Sequence, residues 1–227
     1  MTREEVRARI TEIAIIPAVH VYSESEALFA AEAVGGGGIP IVEITTTTPG
    51  AVSVIAELTR YGTDVIVGAG TLSDVETARR CLDAGAAFLT TTGPVLEIVE
   101  FAVKHEVLIL SGALTPGEVM SVWKAGSDFV KVFPCSPMGG PEYIRALGVP
   151  FPQIPLIASG GVTQQNAADF ILAGAVALGI GQHLIHQNAI RLRQRERIHE
   201  LARRYRKIVG DARSQRILLG KTQAERL

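Results

Sequence analysis

Lys131 stands inside the segment DFVKVFP with Val130, Val132 and Phe133 beside it, whereas Lys104, Lys124, Lys207 and Lys221 fall in helical or terminal polar stretches. Alternation along a strand places Phe129, Lys131 and Phe133 on one face and Val130 and Val132 on the other. An amine turned into a protein interior is costly unless it is paired or used. Burial disfavours the charged form of a lysine, and only the neutral amine attacks a carbonyl, so a desolvated lysine suits imine chemistry. A second ionisable group, Glu43, lies in the apolar run IPIVEIT and shares its strand face with Thr45 and Thr47. A carboxylate there fits a general acid/base for carbon–carbon bond cleavage, and it equally fits the ion-pair partner of a structural lysine. Both alternatives bring Lys131 and Glu43 together.

Three glycine clusters, GAGT (68–71), SGGV (159–162) and GIGQ (179–182), follow apolar runs, where backbone N–H groups can approach a ligand unhindered. The last two end the seventh and eighth runs, so Gly160, Gly161, Gly181 and Gln182 are the expected phosphate cradle, although glycines also make ordinary strand-to-helix turns. His20 ends the first run and is placed to face a site. His105, His183, His186 and His199 read as surface or packing residues, and Trp123 as packing. Cys135 has no histidine placed in sequence to activate it and reads as a small filler. Cys81 and Cys135 lack the spacing of a zinc site or a disulfide framework, so neither is expected, and a reducing compartment is the simplest reading.

Eight short runs rich in Val and Ile must position these groups: 14–21, 39–45, 64–70, 87–91, 107–110, 128–133, 154–159 and 176–181. Helix-like segments fill the gaps, the alternation of a parallel sheet, and eight units predict closure into a single (β/α)8 TIM barrel of the α/β class. Ser23-x-x-Glu26, Ser73-x-x-Glu76 and Thr115-x-x-Glu118 have the form of capping boxes, the last with Pro116 at the first helical position. In the helix expected from Val75 to Ala84, Ala78, Cys81 and Leu82 recur at helical spacing and Gly85 stands at the C-terminal cap. Residues 2–12 predict an extra N-terminal helix across the barrel bottom, and 183 to about 209 a long C-terminal helix. The whole chain is expected to be one domain with its barrel core at about 13–185 and residues 210–227 loosely attached.

The 227 residues are 47% hydrophobic and 20% charged with a net charge of -1, which suits a globular barrel with a sizeable core. Near-neutrality gives no electrostatic reason for a nucleic-acid partner, despite the local arginines near the C-terminus. No run of about 18 apolar residues is present for a membrane span, and the N-terminus lacks a signal core, so a cytoplasmic protein acting on a small molecule is expected.

In order along the chain, EITTTTPGA, VGAGT, LTPGE, AGSDFVKVFP, SGGVTQQNAADF and AGAVALGIG resemble the 2-keto-3-deoxy-6-phosphogluconate (KDPG) and 4-hydroxy-2-oxoglutarate (KHG) aldolases, from about Ile15 to Ile185. The resemblance implies a Schiff-base lysine at Lys131 and an acid/base glutamate at Glu43. It also implies a homotrimer that works without metal or cofactor on a 2-oxo acid. Substrate-binding positions are then His20, Thr45, Thr47, Gly70, Thr71, Thr92, Gly112 and Ser159, with Gly160, Gly161, Gly181 and Gln182 for phosphate.

The chain departs from the family pattern at several of these places. The arginine that holds the substrate carboxylate is replaced at its two usual positions by His20 and Thr47, and an imidazole lacks the bidentate fork of a guanidinium. Thr91-Thr92 replaces serine-proline, Ser111 a proline, Ala158-Ser159 proline-threonine, and Gln182 the phosphate-loop serine. These changes leave an unphosphorylated 2-oxo acid open as substrate. The glycine loops alone also suit a sugar-phosphate epimerase or isomerase, in which the lysine would be merely electrostatic, or a catalytically silent binding barrel.

Overall fold

The computed structural model describes residues 1–60 and 64–224, with side chains through residue 219. Its strands are β1 (Ile15–Val19), β2 (Ile41–Thr45), β3 (Ile66–Leu72), β4 (Phe88–Thr91), β5 (Leu108–Ala113), β6 (Phe129–Val132), β7 (Leu156–Ser159) and β8 (Ala177–Ile180). All pair in parallel in chain order, and β8 returns to β1, closing the barrel. The connecting helices are α2 (Glu24–Gly36), α3 (Ala51–Arg60), α4 (Val75–Asp83), α5 (Leu96–Lys104), α6 (Pro116–Lys124), α7 (Pro141–Gly148) and α8 (Ala167–Leu172). Before the barrel comes α1 (Arg3–Ile13), and after it α9 (Gln187–Arg191) and α10 (Arg195–Ala224).

Every residue of β2, β4, β5, β6 and β8 is buried, because helices cover one face of each strand and the barrel interior the other. That double burial is why the strands read as continuous apolar runs in the sequence. β5 runs on through Ser111, Gly112 and Ala113, past the apolar 107–110, because these residues pair with Val130, Lys131 and Val132.

Local cap chemistry largely fixes the helix starts. Thr115 and Glu118 form the expected reciprocal capping box, and Thr2 with Glu5 forms another. Ser23 caps α2, but the Glu26 carboxylate accepts from Tyr22 N rather than completing the box. At α4 the N-cap is Asp74 and not Ser73: the Asp74 carboxylate accepts from Thr77 N at 2.7 Å, the better acceptor one residue later. At the other end Gly85 has φ +100°, and the amides of Gly85 and Ala86 reach back to Leu82 and Cys81.

The barrel bottom is closed by charge as well as by packing. The Nε of Arg3 on α1 donates to both oxygens of the buried Asp128 carboxylate at 2.9 and 3.1 Å, and Asp128 also accepts from Ile109 N. The expected long C-terminal helix is two helices, broken where Arg193 takes φ +52°. The second does not stop near 209. It continues to Ala224 with Ala212 buried, so 210–224 are helical rather than a loose tail, while 225–227 lie outside the described residues.

The arginines of α10 reach the C-terminal ends of other helices. Arg206 donates to Gly38 O after α2, Arg213 to Glu12 O in α1, and Arg216 to Ile171 O and Ala175 O around the end of α8. Guanidinium groups there satisfy carbonyls that a helix leaves unpaired and oppose the negative end of its dipole. The basic C-terminal composition thus serves helix capping. Replacing Arg216 with Ala takes the side-chain donor from Ala175 O, whereas Ile171 O keeps the Gly174 N–H; the expected loss is about 1 kcal/mol of unfolding free energy, read as a lower midpoint in chemical denaturation.

Candidate active site

Strand alternation turns Lys131 of β6, Glu43 of β2 and Thr90 of β4 into the barrel interior, where they are 5%, 3% and 0% exposed. Lys131 Nζ lies 3.5 Å from each Glu43 oxygen and donates to Thr90 Oγ1 at 3.0 Å. The three groups come from alternate strands of the barrel, the arrangement in which interior side chains of this fold stack in layers. The pairing foreseen between Lys131 and Glu43 is therefore present, 88 residues apart in sequence. Thr90 was not foreseen. The alternation Phe88, Thr90 in the fourth run contained the signal, but Thr92, just past the run's end, was the residue singled out.

Gly70 on β3 is shaped by this pair. A Cβ there would stand 2.0 Å from Glu43 Oε1, so the carboxylate occupies the space a side chain would need. Thr71, next along, has φ +59°, which costs a β-branched residue on the order of 1–3 kcal/mol. The β3–β4 register shifts between Ala69 and Leu72, and the Thr71 carbonyl accepts from Thr46 Oγ1 at 3.0 Å. Gly112 stands opposite Lys131 in the β5–β6 register and donates its N–H to Thr91 Oγ1. Thr92 is exposed just beyond β4, its backbone packed against Gly112, and it joins none of the side-chain clusters.

A second cluster sits above β1 and β2. His20 Nδ1 and Thr47 Oγ1 are 2.8 Å apart, Thr47 meets Thr45 Oγ1 at 3.0 Å, and Thr45 donates to Val19 O at 2.9 Å. The two positions where an arginine was expected from resemblance are thus hydrogen-bonded to each other, and both are exposed. A third group surrounds a cavity of about 220 Å³ lined by Ser159, Gly160, Gly161, Gly181, Gln182 and His183, among others. Gly161 has φ +87°, and a Cβ on it would meet the Ser136 side chain at 2.3 Å. Ala18, the register neighbour of Glu43, also lines this cavity. His183, read from sequence as surface or packing, is exposed and faces the cavity beside Gln182. Its position directly after the glycine cluster 179–182 that ends the eighth run was the available clue.

The barrel interior holds a buried amine, carboxylate and hydroxyl in mutual contact, a set that suits attack on a carbonyl followed by proton transfer. Among the described residues no three His, Cys, Asp or Glu side chains converge as metal ligands, and no helix is long and apolar enough to cross a membrane. Cys135 is fully buried and its Sγ faces Gly160 O at 3.8 Å; burial pushes its thiol up to about 11, as it does that of Cys81. Both thiols should resist alkylation at neutral pH in the folded protein and react only on unfolding, which a timed thiol titration with and without denaturant checks. Gly70→Ala should lower stability by about 1–3 kcal/mol through overpacking on Glu43. Gly93→Ala, with no atom within 4 Å of the added carbon, is the control and should stay within about 0.5 kcal/mol.

Comparison with known proteins adds an independent line. The family model described as "Aldolase: KDPG and KHG aldolase" matches residues 6–201. The 2-dehydro-3-deoxy-phosphogluconate aldolase of Pseudomonas aeruginosa is 34% identical over 172 residues, 74% of this chain and 78% of that protein. The 2-dehydro-3-deoxy-6-phosphogalactonate aldolase of Escherichia coli is 32% identical over 176 residues, 77% of this chain and 85% of that protein. A solved structure of KDPG aldolase from Legionella pneumophila, with pyruvate captured as a covalent carbinolamine intermediate, superposes with a TM-score of 0.81 at 27% identity. It covers 86% of this chain and 95% of that one.

Proposed function

The chain belongs to the KDPG and KHG aldolase family, and from that premise we propose that it is a class I aldolase in which Lys131 forms an imine with a 2-oxo acid. The substrate is 2-keto-3-deoxy-6-phosphogluconate or 4-hydroxy-2-oxoglutarate, cleaved to pyruvate plus glyceraldehyde 3-phosphate or glyoxylate. The observation that carries this reading is the buried Lys131 amine within 3.5 Å of both Glu43 oxygens.

In the proposed sequence Lys131 attacks C2 to give a carbinolamine, which loses water to a protonated imine. Glu43 takes the proton of the 4-hydroxyl, directly or through water, and the C3–C4 bond electrons flow into the imine. The aldehyde leaves, and the remaining enamine is protonated at C3 and hydrolysed to pyruvate. Gly70 and Thr71 border the pyruvyl part, with Thr92, Gly112 and Ser159 at neighbouring strand ends. The His20–Thr47 pair, with Thr45 behind it, receives the C1 carboxylate. Gly160, Gly161, Gly181 and Gln182 receive the distal anion. The chain is proposed to act as a homotrimer in the cytoplasm, as the resemblance implies.

A second reading, an unphosphorylated substrate, is favoured by one observation: neither Arg nor Lys lines the distal cavity. Comparing phosphorylated and unphosphorylated 2-oxo-4-hydroxy acids for pyruvate release separates the two, and a strong preference for the phosphorylated compound rejects the second.

Borohydride in the presence of pyruvate should add a stable mass to Lys131 and none to Lys131→Ala. No adduct on the native chain, or an equal adduct without Lys131, would overturn the imine mechanism. Glu43→Gln should still be trapped by pyruvate yet cleave substrate about 100-fold more slowly, the scale of a lost general acid/base.

A further inference from the structure

The hydroxyl groups around the barrel mouth are nearly all committed. Thr45 donates to Val19 O, Thr46 to Thr71 O, and Thr91 to Gly93 O. Thr90 differs from these: it is 0% exposed, and among the described residues its side chain has one recorded hydrogen bond, which it accepts from Lys131 Nζ. At 3.0 Å this contact is closer than either Nζ contact with Glu43. A hydroxyl accepts with its lone pairs and still carries one proton to give. The Thr90 proton therefore has no recorded protein acceptor and lies next to the atom that would attack the substrate.

We propose that Thr90 is a catalytic residue that relays a proton from Lys131 Nζ to the C2 oxygen of the 2-oxo acid as the carbinolamine forms. The inference rests on the imine-forming role of Lys131. When the neutral amine attacks, the nitrogen lone pair forms the N–C2 bond and the C2–O π pair moves onto oxygen, leaving a positive nitrogen and a negative oxygen. One proton must pass from nitrogen to oxygen to give the neutral carbinolamine. Direct transfer between them would close a strained four-membered ring. Through Thr90 the ring is larger: Oγ1 takes a proton from Nζ along the existing hydrogen bond while its own proton goes to the C2 oxygen. The threonine ends as it began, and charge and atoms balance. Glu43 is left for the later proton transfers at the 4-hydroxyl and at C3.

The test is the rate of imine formation in the full-length chain, followed by borohydride quenching at timed intervals after adding pyruvate. Thr90→Val keeps the shape and removes the hydroxyl, and Thr90→Ala removes it with a different volume. Either folded variant should form the imine about 100-fold more slowly, the scale of a lost proton-transfer group. Thr90→Ser should recover most of the rate. Exchange of pyruvate methyl protons in heavy water, expressed per imine present, should be unchanged, because that step uses Glu43. Trapping by Thr90→Val at the native rate overturns the relay. So does a matching fall in exchange per imine, which would make Thr90 a support for the Lys131–Glu43 geometry instead. Absence of any adduct on the native chain overturns the imine mechanism along with it, whereas a native adduct with an unaffected Thr90→Val rate defeats the relay alone.

Discussion

An ammonium and a carboxylate cannot both leave water without compensation, and the interior of this barrel holds both. The desolvation cost of each ion is several kcal/mol, returned only by close pairing and hydrogen bonds to the remaining polar atoms. Lys131 meets that requirement with Glu43 on one side and the Thr90 hydroxyl on another. Glu43 in turn needs room, which Gly70 supplies by having no side chain. The strands around the pair carry Val, Ile, Leu and Phe that shut out water and fix the separations. Removing any one of these supports leaves a buried charge short of a partner or a space. This is why the polar groups are few, mutually in contact and drawn from alternate strands.

The opposite end of the barrel solves a different problem. Helices in this fold end at the bottom, and each leaves carbonyl groups without intrahelical partners. Here α10 lies across those ends, and Arg206, Arg213 and Arg216 satisfy carbonyls of or just beyond α2, α1 and α8. Arg3 of α1 meets Asp128 at the start of the same strand that carries Lys131. One short strand thus has a charged group fixed at or beside each end, the lower held by Arg3 and the upper by Glu43. The separation leaves the strand tops free to carry strained and polar residues such as Thr71 and His20.

The barrel mouth departs from the family pattern at the positions where the resemblance places substrate recognition. Where an arginine fork would hold a carboxylate, His20 and Thr47 hydrogen-bond to each other and, through Thr45, to the backbone of β1. The groups at these positions are hydroxyls and an imidazole, not a guanidinium. The distal cavity is lined by glycine backbone with Gln182 and His183 beside it. None of these groups is among the hydrogen-bond partners of the Lys131–Glu43 pair.

Much of this was legible in the amino-acid order. Period-two alternation marked Lys131 and Glu43 as inward groups, eight apolar runs marked the strands, and the ordered motifs marked the family. These features are local, fixed by covalent neighbours and by the pleat of a strand. What the order could not decide depends on which distant strands become neighbours when the barrel closes. Only closure set Thr90 rather than Thr92 against the lysine, because β4 ends at Thr91 and leaves Thr92 exposed above the depth of Nζ. Only closure brought His20 against Thr47, and laid the arginines of α10 on the ends of three helices. Those contacts are made across turns of the barrel, where side-chain reach and strand register, not sequence spacing, determine who meets whom.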